Sequence, residues 1–499
     1  MLKYPATLLC DFYKVSHKEQ YPKGTEIIYS TWTPRTNKYA PDICKVTAFG
    51  FQYFIKEYLV KYFNEMFFNR DLKDVVDEYY RIIKYTLGLD EPDVTHIQDL
   101  WSLGYLPIKI KAVKEGTLIP LKTPMLTIEN TDPRFFWLTN YLESLLSSEL
   151  WLPSTSASIA THYYGIGSMY SDLTVGNRDH LPFQFHDFSF RGMEGLNGAA
   201  VSGAGHLLPF VGTDSIPSIV FHEKYYNANV EKELVGTSIP ATEHSVMCAN
   251  SDPDVRDEYD NYKRLITEIY PNGFVSIVSD TYDFWKVIGE ILPQLKEEIM
   301  SRDGKVVIRP DSGDPVKIIC GDLSADNEFA RKGLIRCLWD IFGGTTNSLG
   351  YKVLDPHIGA IYGDSITPER AATILYKLML KGFASNNIVF GIGSYTYQYN
   401  TRDTFGFAVK ATAAQVNGVE KQLFKDPKTD DGTKRSQRGR VIVLKNPITG
   451  SIEYKDGLNK KEQEFYTNID LLETIFENGK IIREESLSEI RKRLMSQFL

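Results

Sequence analysis

The chain has 499 residues with a formal net charge of -8, and 24% of its residues are charged. Its mean hydropathy is -0.26. That length holds two or three domains, and the negative balance argues against general affinity for nucleic acid or an anionic membrane surface. Five cysteines (Cys10, Cys44, Cys248, Cys320, Cys337) are scattered and form no C-x-x-C pair. This points to a reducing cytoplasm over a disulfide framework or a zinc site. No apolar run approaches the roughly 18 residues of a membrane span.

In chain order, Ala6–His17 is a short apolar entry followed by Asp11, Phe12, Tyr13 and Lys14. Gly50–Arg70 and Leu72–Leu87 read as amphipathic helices whose Phe and Tyr stripe is core packing. Leu106–Asn130, punctuated by Gly116, Pro120 and Pro124, reads as a small antiparallel sheet, and Phe135–Leu150 as a helix. Then one event repeats: an apolar run, a polar signature, a helical pattern. It occurs at Phe183–Phe190, Pro209–Ser215, Val235–Ser245, Phe274–Asp283, Val306–Pro315, Ile358–Ser365 and Ile388–Ser394, which makes seven candidate strand ends. Parallel β/α proteins place their chemistry just beyond such ends. The expected fold class is therefore α/β: an irregular β/α barrel over 151–400. A second, α+β domain comprises 1–150, with 401–499 folding back on it.

Between the strands, helices are expected over Tyr282–Met300 (with Pro293 as a kink) and Asn327–Phe342. A third has Thr367 as N-cap, Pro368 at its first position and Gly382 just past its end. Past Asn400 the pattern changes to a strand within Phe405–Val416, a charged loop over Asp426–Arg440, a hairpin over Val441–Tyr454 and two closing helices. The glycines of Arg191–His206 lack the G-x-G-x-x-G spacing, so close helix packing explains them better than a dinucleotide fingerprint. No P-loop sequence occurs.

The rim carries Asp187, Arg191, Asp214, His244, Asp280, Asp283, Arg309, Asp311 and Asp364, with Gly363, Gly391 and Gly393. Carboxylates beside arginines suit a Mg²⁺-bound polyphosphate, with guanidinium forks on phosphate oxygens. Glycine turns at the last two strand ends suit a phosphate. No lysine ends a strand, which counts against a Schiff-base aldolase. His244 sits beside Glu243 at a strand end and suits a functional role. A sugar-phosphate isomerase or aldolase, and a non-enzymatic binding protein, remain as other readings of the same rim.

The motifs DFYKVSH, HDFSFRG, GTDS, PATEHS, VSDTYD, IRPDSGDP, YGD, FGIG, TRD and FKDP stand here in sequence. In that order and from about Ala6 to Arg440, the chain resembles the nicotinamide phosphoribosyltransferases. The resemblance implies a type II phosphoribosyltransferase fold, a homodimer with shared active sites, and a cytoplasmic enzyme of NAD salvage. The implied reaction joins nicotinamide to 5-phosphoribosyl 1-diphosphate, giving nicotinamide mononucleotide and diphosphate. Mg²⁺ is implied as carried by the diphosphate, with no protein ligand assigned, and ATP as a coupled substrate. A nicotinate phosphoribosyltransferase on the same fold is the nearest alternative.

Residue by residue, the resemblance makes Phe188 one face of a nicotinamide sandwich, with Tyr13 of the partner subunit as the other. It gives Asp214 the carboxamide, Arg191, His244 and Arg309 the diphosphate, and Asp311, Gly363 and Asp364 the ribose. Gly393 falls to the 5′-phosphate region with Ser394, and with Arg402 and Lys410 from the partner subunit. His244 matches a histidine phosphorylated by ATP, with Glu243 and Asp280 as its neighbours. Two positions depart from the pattern: Ser394 replaces an expected glycine and Ala408 an expected serine.

Overall fold

The computed structural model describes residues 3–251, 254, 256–425 and 436–498. Its contacts gather the chain into two units. One is Met1–Ser158, Phe221–Ala228 and Asn400–Leu499; the other is Ile159–Val220 and Asn229–Tyr399.

The first unit is built on a seven-stranded sheet in the order 419–422, 408–416, 25–33, 126–130, 108–112, 473–477, 480–481. Every pairing in it is antiparallel. This sheet is larger than the one expected over Leu106–Asn130, because Thr25–Thr33 joins its centre. TEIIYSTWT hides its strand character: residues 28–33 are all buried, so the polar–apolar alternation of a half-exposed strand is missing. Trp32 stacks on Phe407 with ring centroids 5.0 Å apart, locking the central pair of strands. The hairpin forms as Arg440–Lys445 with Ile452–Leu458, and helices Lys460–Phe465 and Leu487–Met495 close the chain. Residues 426–435 of the expected charged loop lie outside the described residues.

The second unit is a ring of parallel pairings. Phe185–Asp187 pairs with Val389–Ile392, that strand with Ile358–Tyr362, then Val306–Arg309, then Val275–Val278. From there single parallel bridges take over: Ala241 to Ser276, Gly212 to Thr237 and Asp187 to Thr213. The circuit thus returns to its first strand through all seven expected segments. It is irregular because three of its junctions are single bridges. Buried Val, Ile and Phe fill the strands: Val275, Ile277, Val306, Ile308, Phe390 and Ile392 are each fully enclosed.

Helices flank the ring. Pro368–Leu380 has Thr367 accepting from the Arg370 N–H at its start, and buries Ala371, Ile374, Leu375 and Leu378. Two expected helices are broken. Tyr282–Met300 divides into short pieces around Pro293, which has no N–H to donate, and Leu295 leaves helical geometry (φ −97°, ψ 10°). Asn327–Phe342 is two helices, Glu328–Lys332 and Leu334–Phe342, divided at Gly333. Gly333 has φ +83°, and a Cβ on it would stand 2.3 Å from the Gly321 nitrogen, so only glycine fits. In helix Gly195–His206 a Cβ on Gly203 would lie 2.0 Å from Ser218 Oγ, so this glycine serves close packing, whereas Gly195 and Gly198 have room for a Cβ.

Candidate active site

A cavity of about 1090 Å³ opens at the carboxyl ends of the ring strands. Its walls include Phe188, Arg191, Asp214, Arg309, Asp311, Gly363, Asp364, Gly393 and Ser394. Closure of the ring explains the convergence, since each residue stands just past a strand end. Phe188 follows strand Phe185–Asp187 and is held by its N–H to Ile392 O at 2.9 Å. The ring lies against the backbone of the neighbouring strands: a Cβ on Gly391 would fall 2.3 Å from Phe188 Cδ2, and one on Gly363 2.7 Å from Asp311 Oδ1. Gly391, which also meets the Gly363 backbone, is required by close approach despite its ordinary φ, whereas a Cβ on Gly363 would press on the Asp311 side chain.

Asp214 is aimed by two donors on one oxygen. Its Oδ1 accepts from Ser238 Oγ at 2.7 Å and from His186 Nε2 at 2.8 Å. A carboxylate only accepts, so His186 carries its proton on Nε2. Burial works to raise the Asp214 carboxyl, but the His186 and Ser238 bonds and the Arg309 charge outweigh it. The group is held below its ordinary range, and its Oδ2 remains for a ligand. Arg309 donates from Nη2 to Thr242 O at 2.7 Å, while its buried Nε has no partner among the described residues. Arg309 lines the cavity, and its guanidinium charge suits an anion there.

Asp280 lies beneath the rim. Its Oδ2 accepts from the Asp311 N–H at 2.9 Å and from Ser312 Oγ at 2.6 Å, so it shapes the turn after Val306–Arg309. Its Oδ1 stands 3.7 Å from His244 Nε2. The Glu243 carboxylate takes the Ser245 hydroxyl. Asp187 and Asp283 are structural: Asp187 is fully buried and accepts from the Ser189 N–H and Thr213 Oγ1. Asp283 caps the next helix through the Trp285 and Lys286 N–H groups. Asp364 takes the Ser365 hydroxyl at 2.6 Å, and Ser394 Oγ packs where a Gly192 Cβ would be.

Tyr13, Arg402 and Lys410 belong to the other unit. Tyr13 is exposed, with Lys14 Nζ 4.9 Å from its ring centroid. Lys410 and Ala408 line a cavity of about 340 Å³ with Arg35, Lys122 and Arg438. Burial and the charges of Arg35, Lys14 and Arg402 hold the Lys410 ammonium below its usual range, against the pull of Glu143. Crowded cations of this kind are relieved by a bound anion.

Several residues escaped the sequence reading. Arg35 stands in a strand-end TPRT with nothing to single it out, and Arg370 is hidden within a helix. Arg370 lines the main cavity and donates to Ser365 O at 2.6 Å. His186 and Ser238 gain meaning only when the ring brings them to Asp214. Among the described residues no group of three or more His, Cys, Asp or Glu is arranged to hold a metal ion, and no helix is long and apolar enough to cross a membrane.

Residues 183–480 match the model of the nicotinate phosphoribosyltransferase family, and residues 6–110 match the nicotinamide phosphoribosyltransferase N-terminal domain. A nicotinamide phosphoribosyltransferase of Acinetobacter baylyi is 49% identical, over 98% of this chain and 96% of its own. One of Xanthomonas campestris is 34% identical, with 96% of each chain covered. Among solved structures, a Pyrococcus furiosus nicotinate-nucleotide pyrophosphorylase superposes with a TM-score of 0.56 at 14% identity, covering 99% of this chain and 95% of that one. Human nicotinic acid phosphoribosyltransferase gives 0.55 at 13%, covering 98% and 93%. These two likenesses concern the fold.

Proposed function

The chain belongs to the nicotinate phosphoribosyltransferase family and, by its full-length relatives, to the nicotinamide phosphoribosyltransferases; from that premise we propose that it joins nicotinamide to 5-phosphoribosyl 1-diphosphate. The observation that carries the choice of base is Asp214, ionised and aimed with one oxygen free. Phe188 offers a flat face for the pyridine ring. Asp311 and Asp364 take ribose hydroxyls, and Arg191 and Arg309 bind the diphosphate.

Departure of diphosphate leaves an oxocarbenium-like carbon at the ribose, so the demand on the site is to neutralise leaving-group charge and hold the two reactants in line. Arg309 and Arg191, both in the cavity wall, serve the first need. Phe188 and Asp214 serve the second by fixing the pyridine nitrogen over the ribose. That nitrogen carries its own lone pair, so no general base is required. Mg²⁺ carried on the diphosphate would supply further charge neutralisation there.

His244 is the candidate acceptor of the ATP γ-phosphoryl group, and its phosphorylated form favours productive substrate binding. The exposed imidazole beside buried Asp280 supports this role. The working form is a cytoplasmic homodimer in which the partner subunit's Tyr13, the partner subunit's Arg402 and the partner subunit's Lys410 complete each site. If so, mixing inactive Tyr13→Ala and Arg309→Ala subunits regenerates activity. No recovery despite proven subunit exchange removes the shared site.

The direct test incubates the enzyme with phosphoribosyl diphosphate, Mg²⁺ and either nicotinamide or nicotinate, with and without ATP. Nicotinamide mononucleotide as the main product, with ADP released in step when ATP is present, is the expected result. Product from nicotinate alone moves the enzyme to the other base.

A further inference from the structure

Arg191, Arg309 and Arg370 line the main cavity. The first two take the diphosphate in the reading above, which leaves Arg370 unassigned. It stands exposed in the first turn of helix Pro368–Leu380, and its Nη1 donates to Ser365 O at 2.6 Å. Ser365 directly follows Asp364, which takes a ribose hydroxyl. The same loop touches the end of the next strand, since Ile366 O accepts from Thr396 Oγ1 at 3.4 Å. Thr396 in turn donates its N–H to Gly393 O at 3.2 Å, and both residues line the cavity. Gly393 has an ordinary φ of −83°, and a Cβ on it would meet nothing within 4 Å. Neither backbone nor packing requires a glycine there, so the room it leaves is open to a ligand. We propose that Arg370 binds the 5′-phosphate of the phosphoribosyl group in that room. This rests on the reading of the cavity as the phosphoribosyl diphosphate site.

The ligand requires a cation at this end. 5-Phosphoribosyl 1-diphosphate is charged at both ends of its sugar, and its phosphomonoester carries about −1.5 to −2 near pH 7. Arginines on the diphosphate at C1 do not serve C5, because the ribose lies between. The wall there is acidic: Asp311 and Asp364 take the hydroxyls, and Glu369 neighbours Arg370. A dianion entering it without a counter-charge is repelled. A guanidinium has five N–H donors in one plane, and Ser365 takes one of them. The 5′-phosphate is unchanged from substrate to product, so the contact adds equally to ground and transition states. Arg370 is therefore expected to lower the KM for phosphoribosyl diphosphate and to leave kcat alone.

A different task for Arg370 would be to brace the loop. Ser365 has φ +56°, a region in which residues other than glycine are uncommon, and the Arg370 bond fastens its carbonyl. The two tasks differ in what they spare. A slackened loop displaces Asp364 and weakens every ligand that carries the ribose. A lost phosphate contact weakens only a ligand that carries the phosphate.

Calorimetry with nicotinamide mononucleotide and with nicotinamide riboside, the same molecule lacking the phosphate, separates them. Wild type is expected to bind the mononucleotide the more tightly. Arg370→Met keeps the stem and removes the charge. It is expected to lose about tenfold or more on the mononucleotide, the worth of one charge-assisted bond, and nothing on the riboside. Its KM for phosphoribosyl diphosphate rises by a similar factor with kcat unchanged, and Arg370→Lys, which keeps the charge, recovers part of the loss. A wild type that binds both ligands equally, an Arg370→Met that loses on neither, or one that loses alike on both overturns the proposal. If wild type forms no mononucleotide from nicotinamide and phosphoribosyl diphosphate, the reading of the reaction fails, and the two-ligand comparison still decides whether Arg370 holds a phosphate.

Discussion

At the scale of single residues the sharpest consequence concerns Asp214. Nicotinamide presents an NH₂ that donates to a carboxylate, whereas nicotinate presents an anion. With its Oδ1 held by His186 and Ser238, the free oxygen gains a charge-assisted bond with the amide, on the order of 1.5–3 kcal/mol. With the acid that bond is lost and like charges meet. At roughly 1.4 kcal/mol per tenfold, a preference for the amide of at least about tenfold follows. Asp214→Ser is expected to weaken nicotinamide use and to raise nicotinate use relative to it. The comparison is kcat/KM for both bases on wild type and variant; an unchanged ratio means that Asp214 does not read the base. This residue was legible in the sequence because it follows an apolar run in GTDS. Its two aiming partners were not, since His186, Asp214 and Ser238 come from three different strand ends and meet only when the ring closes.

At the scale of elements, strand Val389–Ile392 acts as a wall for the aromatic face. Gly391 lets Phe188 lie on it: an added Cβ would stand 2.3 Å from Phe188 Cδ2 and 2.8 Å from Gly363 Cα. Gly391→Ala must therefore push the ring off the wall, at about 1–3 kcal/mol of stability, and raise KM for the base by at least about tenfold. Gly359→Ala on the neighbouring strand is the control, because its Cβ meets only the Lys305 side chain at 3.1 Å and Val307 at 3.8 Å. Steady-state kinetics and urea unfolding on both variants separate the two, and an unaltered KM in Gly391→Ala removes Phe188 as the stacking face. Ring strands were readable because each apolar run stops at a polar turn. Thr25–Thr33 was not, being buried on both faces, and two helices were read too long because Pro293 and Gly333 interrupt an otherwise helical pattern.

At the scale of the molecule, the buried ionisable groups oppose one another. His17, His96, His180 and His206 are all lowered by burial, His96 and His206 to about 4. Four carboxyls, Glu115, Glu149, Glu258 and Asp470, are raised by burial, Glu115 and Glu258 to about 7. A histidine lowered from 6.5 is protonated only in the unfolded chain between about 4 and 6.5, so its contribution to stability grows as pH rises through that window. A carboxyl raised from 4.5 keeps its proton only in the folded chain between about 4.5 and 7, so its contribution shrinks over nearly the same window. Carboxyls held below their ordinary range act at lower pH still. With two histidines lowered to about 4 and two carboxyls raised to about 7, the slopes of these four oppose one another, and the unfolding free energy is expected to be nearly flat from pH 4.5 to 6.5. His96→Phe unbalances the set while keeping an aromatic ring beside Trp137, which His96 meets edge-on at 4.9 Å. Its unfolding free energy should fall as pH rises, by up to about 1.4 kcal/mol per pH unit, one proton's worth. Urea titrations at fixed pH across the window check both statements. A steep wild-type profile, or a variant as flat as wild type, means that the buried histidines and carboxyls do not offset one another.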